Sequence, residues 1–194
     1  LRATRYYVNQ NASGANNGAS WQDAFTDLQS ALQVAEAGDT VWVAAGTYLP
    51  TSTTDRTISF RPRSGVVLFG GFAGHETSLD QRDWETNATI LSGNIGIPGI
   101  ADNSYHVLYF TDVAEHTALD GFTITLGNAA DVAKHHSGGG ILVEDSSVTQ
   151  IIRLDVRNCR FLYNQAFHRG GALSITGNGW DYSHFSNCLF LQNS

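Results

Sequence analysis

Arg157-Asn158-Cys159-Arg160-Phe161-Leu162-Tyr163-Asn164 is written again as Ser186-Asn187-Cys188-Leu189-Phe190-Leu191-Gln192-Asn193, with both asparagines, the cysteine and the Phe-Leu pair kept in place. A glycine cluster and a short apolar run stand before each copy: Gly138-Gly139-Gly140-Ile141 and Gly170-Gly171-Ala172-Leu173. Self-similarity at a period of roughly 20–50 residues marks a repeat architecture, in which each unit buries its apolar face against the next. The spacing is 29 residues from Phe161 to Phe190 and 32 from Gly138 to Gly170. A weaker upstream copy, Leu119-Asp120-Gly121-Phe122-Thr123-Ile124, aligns with Val156 to Phe161 at an offset of 37, and the alignment continues to Gly127 over Asn164 and Ala129 over Ala166. Uneven spacing of this kind is what loop insertions on a fixed coil produce.

Working outward, the segments Thr40–Ala45, Val66–Phe69, Ala88–Leu91, His106–Phe110, Ile141–Val143, Ile151–Leu154 and Leu173–Ile175 are short, β-branched or aromatic, and bounded by turn residues. After Gly38 no segment carries a convincing helical period, which argues against a doubly wound α/β fold. A sandwich would also supply many short strands, but it would not repeat the same side chains one coil later. The expectation is an all-β chain: a right-handed parallel β-helix of roughly five coils, its hand following the rule for parallel crossovers. Like residues then stack about 4.8 Å apart, asparagine over asparagine and phenylalanine over phenylalanine. The glycines before each strand supply positive φ at the turn.

Tyr6-Tyr7-Val8 reads as a strand and Asn9 to Ala19 as a loop. Ser20 then opens a predicted helix with Asp23 as its capping-box partner, Trp21, Phe25, Leu28 and Leu32 on one face, and Gly38 as the stop. The spacing predicts a capping helix over 20–37, so residues 1–38 form a cap and 39–194 the coils of one domain. The chain stops inside its repeat motif. It is therefore expected to be a fragment of a longer chain, or to meet another molecule end to end through an uncapped last coil.

The formal net charge of −7 argues against nucleic acid and anionic membranes as partners. No apolar run is long enough to span a bilayer. Methionine is absent and Lys134 is the only lysine, which suits a secreted bacterial protein whose signal peptide lies outside this sequence. Cys159 and Cys188 occupy one repeat position and are expected to be free thiols, because a ladder holds their Cβ vectors parallel; neighbouring coils would otherwise place them within disulfide range.

The Gly-Gly-Ala-Leu of residues 170–173, together with Phe-Leu-Tyr-Asn (161–164) and Phe-Leu-Gln-Asn (190–193), resembles the GGA[ILV] and FxxN repeats of chlamydial polymorphic outer-membrane proteins; Gly140 departs from that pattern, standing where alanine is usual. The N-terminal half, through Gly14–Gly18, Ser20–Phe25, Gly38–Tyr48, Phe69–Phe72 and Gln81–Trp84, resembles the opening of large secreted bacterial β-helix proteins. The resemblance implies surface exposure or secretion and, for the chlamydial proteins, adhesion. It does not imply an activity, since the same coil carries adhesins, pectate-lyase-like enzymes and stalks.

Candidate chemistry is sparse. His136 and His168 each precede the first glycine of their motif by two residues, so they fall one coil apart and could bind a transition metal or a carboxylate; the bland alternative is a surface ladder of histidines. Asp131 and Asp181 are candidates to complete a metal set. A polysaccharide lyase would need a base, for which Lys134 is available, and a cation such as Arg169 or Arg157 to neutralise a uronate carboxylate. A glycosidase would need two facing acids drawn from Glu144, Asp145, Asp155 and Asp181. Asp155 aligned with His184 and Asp120 with Arg157 read instead as cross-coil pairs on the outer surface. Trp180 and Tyr182 are the best exposed aromatics for stacking on sugars, whereas Tyr163 and Phe167 are expected to pack under loops, and Trp21, Trp42 and Trp84 to be buried. No cofactor is expected, with Ca²⁺ left open; that ion would need a cluster of oxygen ligands that the sequence does not display.

The expected role is an extracellular, non-enzymatic module of a bacterial surface protein that binds a glycan or a surface protein. The alternatives are an enzyme acting on an acidic polysaccharide, and a structural stalk or assembly unit.

Overall fold

Among the described residues every strand pairing is parallel, and each coil adds one strand to each sheet it reaches. The structure, a computed structural model, describes residues 3–131, 135–146, 151–177 and 179–194. Sheet A runs in the order Arg5–Val8, Thr40–Ala44, Val67–Phe72, Thr117–Asp120, Leu154–Arg157, His184–Ser186. Sheet B runs Gly46–Tyr48, Thr89–Ser92, Phe122–Thr125, Arg160–Leu162, Leu189–Leu191, and sheet C runs Leu108–Thr111, Ile141–Asp145, Leu173–Gly177. Short pairings of Asn128–Ala129 with Gln165–Ala166, and of Ile151–Ile152 with Trp180–Asp181, fill corners between them. This is the parallel β-helix the repeats predict, with sheet B counting five coils.

The core is a set of ladders. Tyr6, Val41, Leu68, Leu119, Val156 and Phe185 follow one another in register on sheet A. Tyr48, Leu91, Ile124, Phe161 and Phe190 do so on sheet B, and Leu108, Ile141 and Leu173 on sheet C. The Phe161 and Phe190 rings stack 4.8 Å apart at an interplanar angle of 4°. The side-chain period of two sends these residues inward on every coil, where they join one buried cluster or pack against it, except Phe190, which is 48% exposed in the last coil. Burial of this kind is worth about 1.5–3 kcal/mol for each large apolar side chain.

The corners explain the repeated polar residues. Gly121, Asn158 and Asn187 hold φ of 86°, 52° and 50°, and five residues later Leu126, Tyr163 and Gln192 hold 61°, 57° and 52°. The coil therefore turns twice through the left-handed region, first at a residue type that tolerates it. Gly138 and Gly170 supply the positive φ expected of them. Gly140 has a separate reason: a Cβ there would press on the Ala172 carbonyl and on the Asn164 side chain.

The N-terminal helix is shorter than predicted. Only Leu28–Val34 is helical, with Asp27 as N-cap accepting from Ser30 N–H at 2.8 Å. Ser20 and Asp23 do form reciprocal bonds of 3.0 and 3.1 Å, but they close a turn; the Asp23 carboxylate also takes Ala15 N–H and so braces the preceding loop. Phe25 is drawn into backbone pairing with Tyr7 and Asn9, which holds it extended. Leu28, Ala31 and Leu32 are the helix residues that enter the core. Among the described residues no helix is long and apolar enough to cross a membrane.

Candidate functional site

Two faces of the coil carry clustered side chains able to meet a ligand. The first is the aromatic corner. Trp180 stands in register beside Ile151, and Tyr182 N–H reaches Ile152 O at 3.0 Å, so both rings ride on a strand pair whose inner residue, Ile152, is buried. Trp180 is 71% exposed and Tyr182 63%. Tyr182, Ile151, Arg153, Asp155 and His116 line an open hollow of about 430 Å³. Its polar wall is preorganised: His116 Nε2 and Arg157 Nη2 stand 3.0 and 2.6 Å from Asp155 Oδ2. Partial burial pushes the Asp155 carboxyl up, but the His116 bond and the Arg157 charge outweigh it and hold the group below its usual range. Asp155 and His184 are neighbours in register as expected, yet the carboxylate is bonded to His116 and Arg157.

The second face is the outer side of sheet C, which sequence reasoning missed apart from Glu144 and Asp145. An open groove of about 560 Å³ is lined by Tyr109, Thr111, Asp112, Glu144, Ser146 and Thr176, among others. The Tyr109 hydroxyl donates a short hydrogen bond to the Glu144 carboxylate. Burial and that carboxylate push the phenol up to about 12, so it stays a donor. The Arg61 guanidinium lies 4.2 Å over the Tyr109 ring. The signal available was the alternation Leu108-Tyr109-Phe110-Thr111, which sends Tyr109 outward; its meeting with Glu144 is diagonal across two strands and cannot be read from either strand alone.

Histidines occupy the edge of that face. His106 Nδ1 is 2.9 Å from the Gly138 carbonyl, which can only accept, so Nδ1 carries the proton. Burial pushes His106 down to about 4. Neutral His106 therefore accepts at Nε2 from His135 Nδ1, 3.2 Å away. His135 stacks on Tyr105 at 4.5 Å, and Arg56 covers the same tyrosine at 4.1 Å. His136 and His168 meet one coil apart, as expected, with ring centroids 5.5 Å apart.

The remaining expectations divide. Lys134, the candidate lyase base, lies outside the described residues. Arg169 is exposed beside His168. Arg157 is in register with Asp120 but does not bind it: Asp120 is held at 2.7 Å by Arg82, in a pair whose side chains are only 7% and 12% exposed, and by Asn158. That pair is interior, and the surface reading of Asp120 is corrected accordingly. Tyr163 and Phe167 do not pack under loops; they are 48% and 65% exposed, Tyr163 because it occupies a left-handed corner. Trp42 is buried, while Trp21 and Trp84 are half-buried. Both cysteines are free, each thiol pointing to a backbone carbonyl, and burial pushes Cys159 up to about 12. Among the described residues no group of three or more His, Cys, Asp or Glu side chains converges as a metal set.

No protein-family model, curated protein or solved structure matches this chain.

Proposed function

We propose that this β-helix is an extracellular, non-enzymatic module of a bacterial surface protein that binds a glycan along its coil. The observation that carries the reading is the aromatic corner: Trp180 and Tyr182 project two residues apart beside a preorganised His116–Asp155–Arg157 wall. Aromatic faces offer apolar area to the C–H face of a sugar ring at low entropic cost, and fixed polar groups at the edge take its hydroxyls. The open hollow admits a polymer without requiring a chain end. The resemblance to GGA[ILV]/FxxN surface proteins and the single lysine support an extracellular setting.

One observation favours a second reading, an enzyme acting on an acidic polysaccharide. The sheet C groove sets the Glu144 carboxylate against a protonated Tyr109, with Arg61 close by to meet a substrate carboxylate.

Affinity electrophoresis of the chain in gels containing neutral or acidic polysaccharides, followed by measurement of polymer length, separates the two. Retardation without shortening is the expected result, and the Trp180→Ala/Tyr182→Ala double variant should weaken it roughly tenfold or more, at about 1 kcal/mol for each ring. Polymer shortening abolished by Glu144→Gln would establish the enzyme instead. Retardation unchanged in the double variant would remove the aromatic corner from the function. Neither retardation nor shortening would leave a stalk or assembly unit.

A further inference from the structure

We propose that His136 and His168 form a site for a borderline transition-metal dication, Zn²⁺ or Cu²⁺, with coordination positions left open to an outside oxygen or nitrogen donor. The inference is independent of the glycan reading.

The backbone places the two rings. His168 N–H donates to His136 O at 2.7 Å, Ser137 and Arg169 form a parallel bridge, and Gly138 N–H is shared between the Arg169 and Gly170 carbonyls at 3.0 Å each. The two histidines thus sit on adjacent rungs of a ladder that is tied just beyond them, and bringing them together costs no loop ordering on binding. Their ring centroids are 5.5 Å apart, with the planes at 87°. A tetrahedral ion held by two imidazole nitrogens at about 2.0–2.1 Å puts the ring centroids roughly 5 Å apart. The centroid separation of the pair thus matches that of two imidazoles sharing one ion.

The surroundings favour one nitrogen of His136. Its Nδ1 is 3.1 Å from the hydroxyl of Ser137, a residue only 8% exposed. With Nδ1–H donated to that hydroxyl, Nε2 keeps its lone pair. A metal-binding imidazole is normally oriented this way, its second nitrogen fixed by a hydrogen-bond acceptor. His168 is exposed, which gives an ion its entry path. The neighbouring pair His106–His135 is not a competitor, because its two facing nitrogens are spent on each other.

The donor set chooses the ion. Two imidazoles select Zn²⁺, Cu²⁺ or Ni²⁺ over Mg²⁺ and Ca²⁺, which prefer oxygen cages. With no third His, Cys, Asp or Glu converging among the described residues, water or a donor from a partner fills the remaining positions. Arg169, adjacent to His168, opposes any cation and keeps the affinity modest.

Titration of the full chain with Cu²⁺ alone, read by nitrogen hyperfine structure in electron paramagnetic resonance, and with Zn²⁺ alone, read by calorimetry, tests the site. The expected result is one ion per chain with two nitrogen ligands. His168→Ala, which changes an exposed side chain, should weaken binding tenfold or more with an unchanged melting temperature, whereas His75→Ala, at an exposed histidine elsewhere, should leave binding intact. His136→Gln should match His168→Ala. Binding that survives His168→Ala, falls equally in His75→Ala, or is matched by Ca²⁺ would overturn the proposal.

Discussion

Asn164 has no exposed surface, and each polar atom of its side chain is in use. Oδ1 accepts from Gly127 N–H at 3.0 Å, while Nδ2 donates to Ile124 O at 2.9 Å and to Asn193 Oδ1 at 3.0 Å. One side chain thereby bonds the Gly127 N–H and the Ile124 carbonyl of the preceding coil, and passes the pattern to its repeat in the next coil. Alanine would leave the buried Gly127 N–H unpaired, at about 1–3 kcal/mol, and would remove the bonds to Ile124 O and Asn193 Oδ1 as well. Asn164→Ala is accordingly expected to lower unfolding stability by about 2–4 kcal/mol, measured by urea denaturation with an unchanged slope. A loss below about 0.5 kcal/mol, the usual range for an inert surface change, would show that the ladder does not carry this role. Asn158 and Asn187 serve differently. They hold left-handed corners and bond to one another at 2.7 Å, in a half-exposed setting where substitution costs less.

At the scale of strands, the Arg82–Asp120 pair ties a loop across two strands that the sheet A ladder already joins. Arg82 follows the short 3-10 turn Leu79–Gln81 and donates to the carbonyls of Gly70 and Asp120, each at 3.1 Å, as well as to the Asp120 carboxylate. It thus anchors its loop to the ends of the paired strands Val67–Phe72 and Thr117–Asp120, just where the coil turns at Gly121. Removing one member of a buried pair strands the other charge, so Arg82→Ala is expected to cost about 3–5 kcal/mol. The Arg82→Ala/Asp120→Asn double variant should cost less than the sum of the single changes, because the orphaned charge is gone. Strict additivity in that thermodynamic cycle would show that the two groups do not act together. This pair also marks the limit of what the sequence discloses. The registers Val156 over Leu119, Phe161 over Phe190, Asp155 beside His184 and His136 beside His168 were all legible, because each follows from a motif repeated one coil later. The partner of Asp120 was not, because Arg82 arrives from a loop with no counterpart in the other coils. The same holds for Phe25, drawn out of its helical period by backbone pairing with Tyr7 and Asn9, and for the meeting of Tyr109 with Glu144. Exposure at Trp180 was legible from the glycines preceding it; exposure at Tyr163 required knowing that its backbone is left-handed.

The whole molecule registers the burial of His106. This ring is 3% exposed, bonded to the Gly138 carbonyl and to His135, and its pKa is pushed from 6.5 down to about 4. Burial is the largest cause; the Gly138 bond and the Glu144 charge oppose it, while His135 and Arg61 add to it. Between those two values the unfolded chain binds a proton that the folded chain refuses, so protons favour unfolding and stability falls as the solution is acidified. Above pH 6.5 the ring is neutral in both states and contributes no slope. By pH 4 the loss from this one site reaches about 3 kcal/mol, at 1.36 kcal/mol for each unit of displacement. The carboxylates lowered by hydrogen bonds, Asp155 and Glu76 among them, add their own losses mainly below that window. His106→Asn places an amide where Nδ1 stood, keeps a donor for Gly138 O and removes the titration. Denaturation measured from pH 7 to pH 4 should show a steeper decline for the natural chain than for this variant, with the curves parting near pH 6.5 and running parallel above it. Parallel curves throughout would mean that His106 is protonated in the folded coil, which would require an acceptor at Nε2 and would reverse the hydrogen-bond direction assigned between His106 and His135.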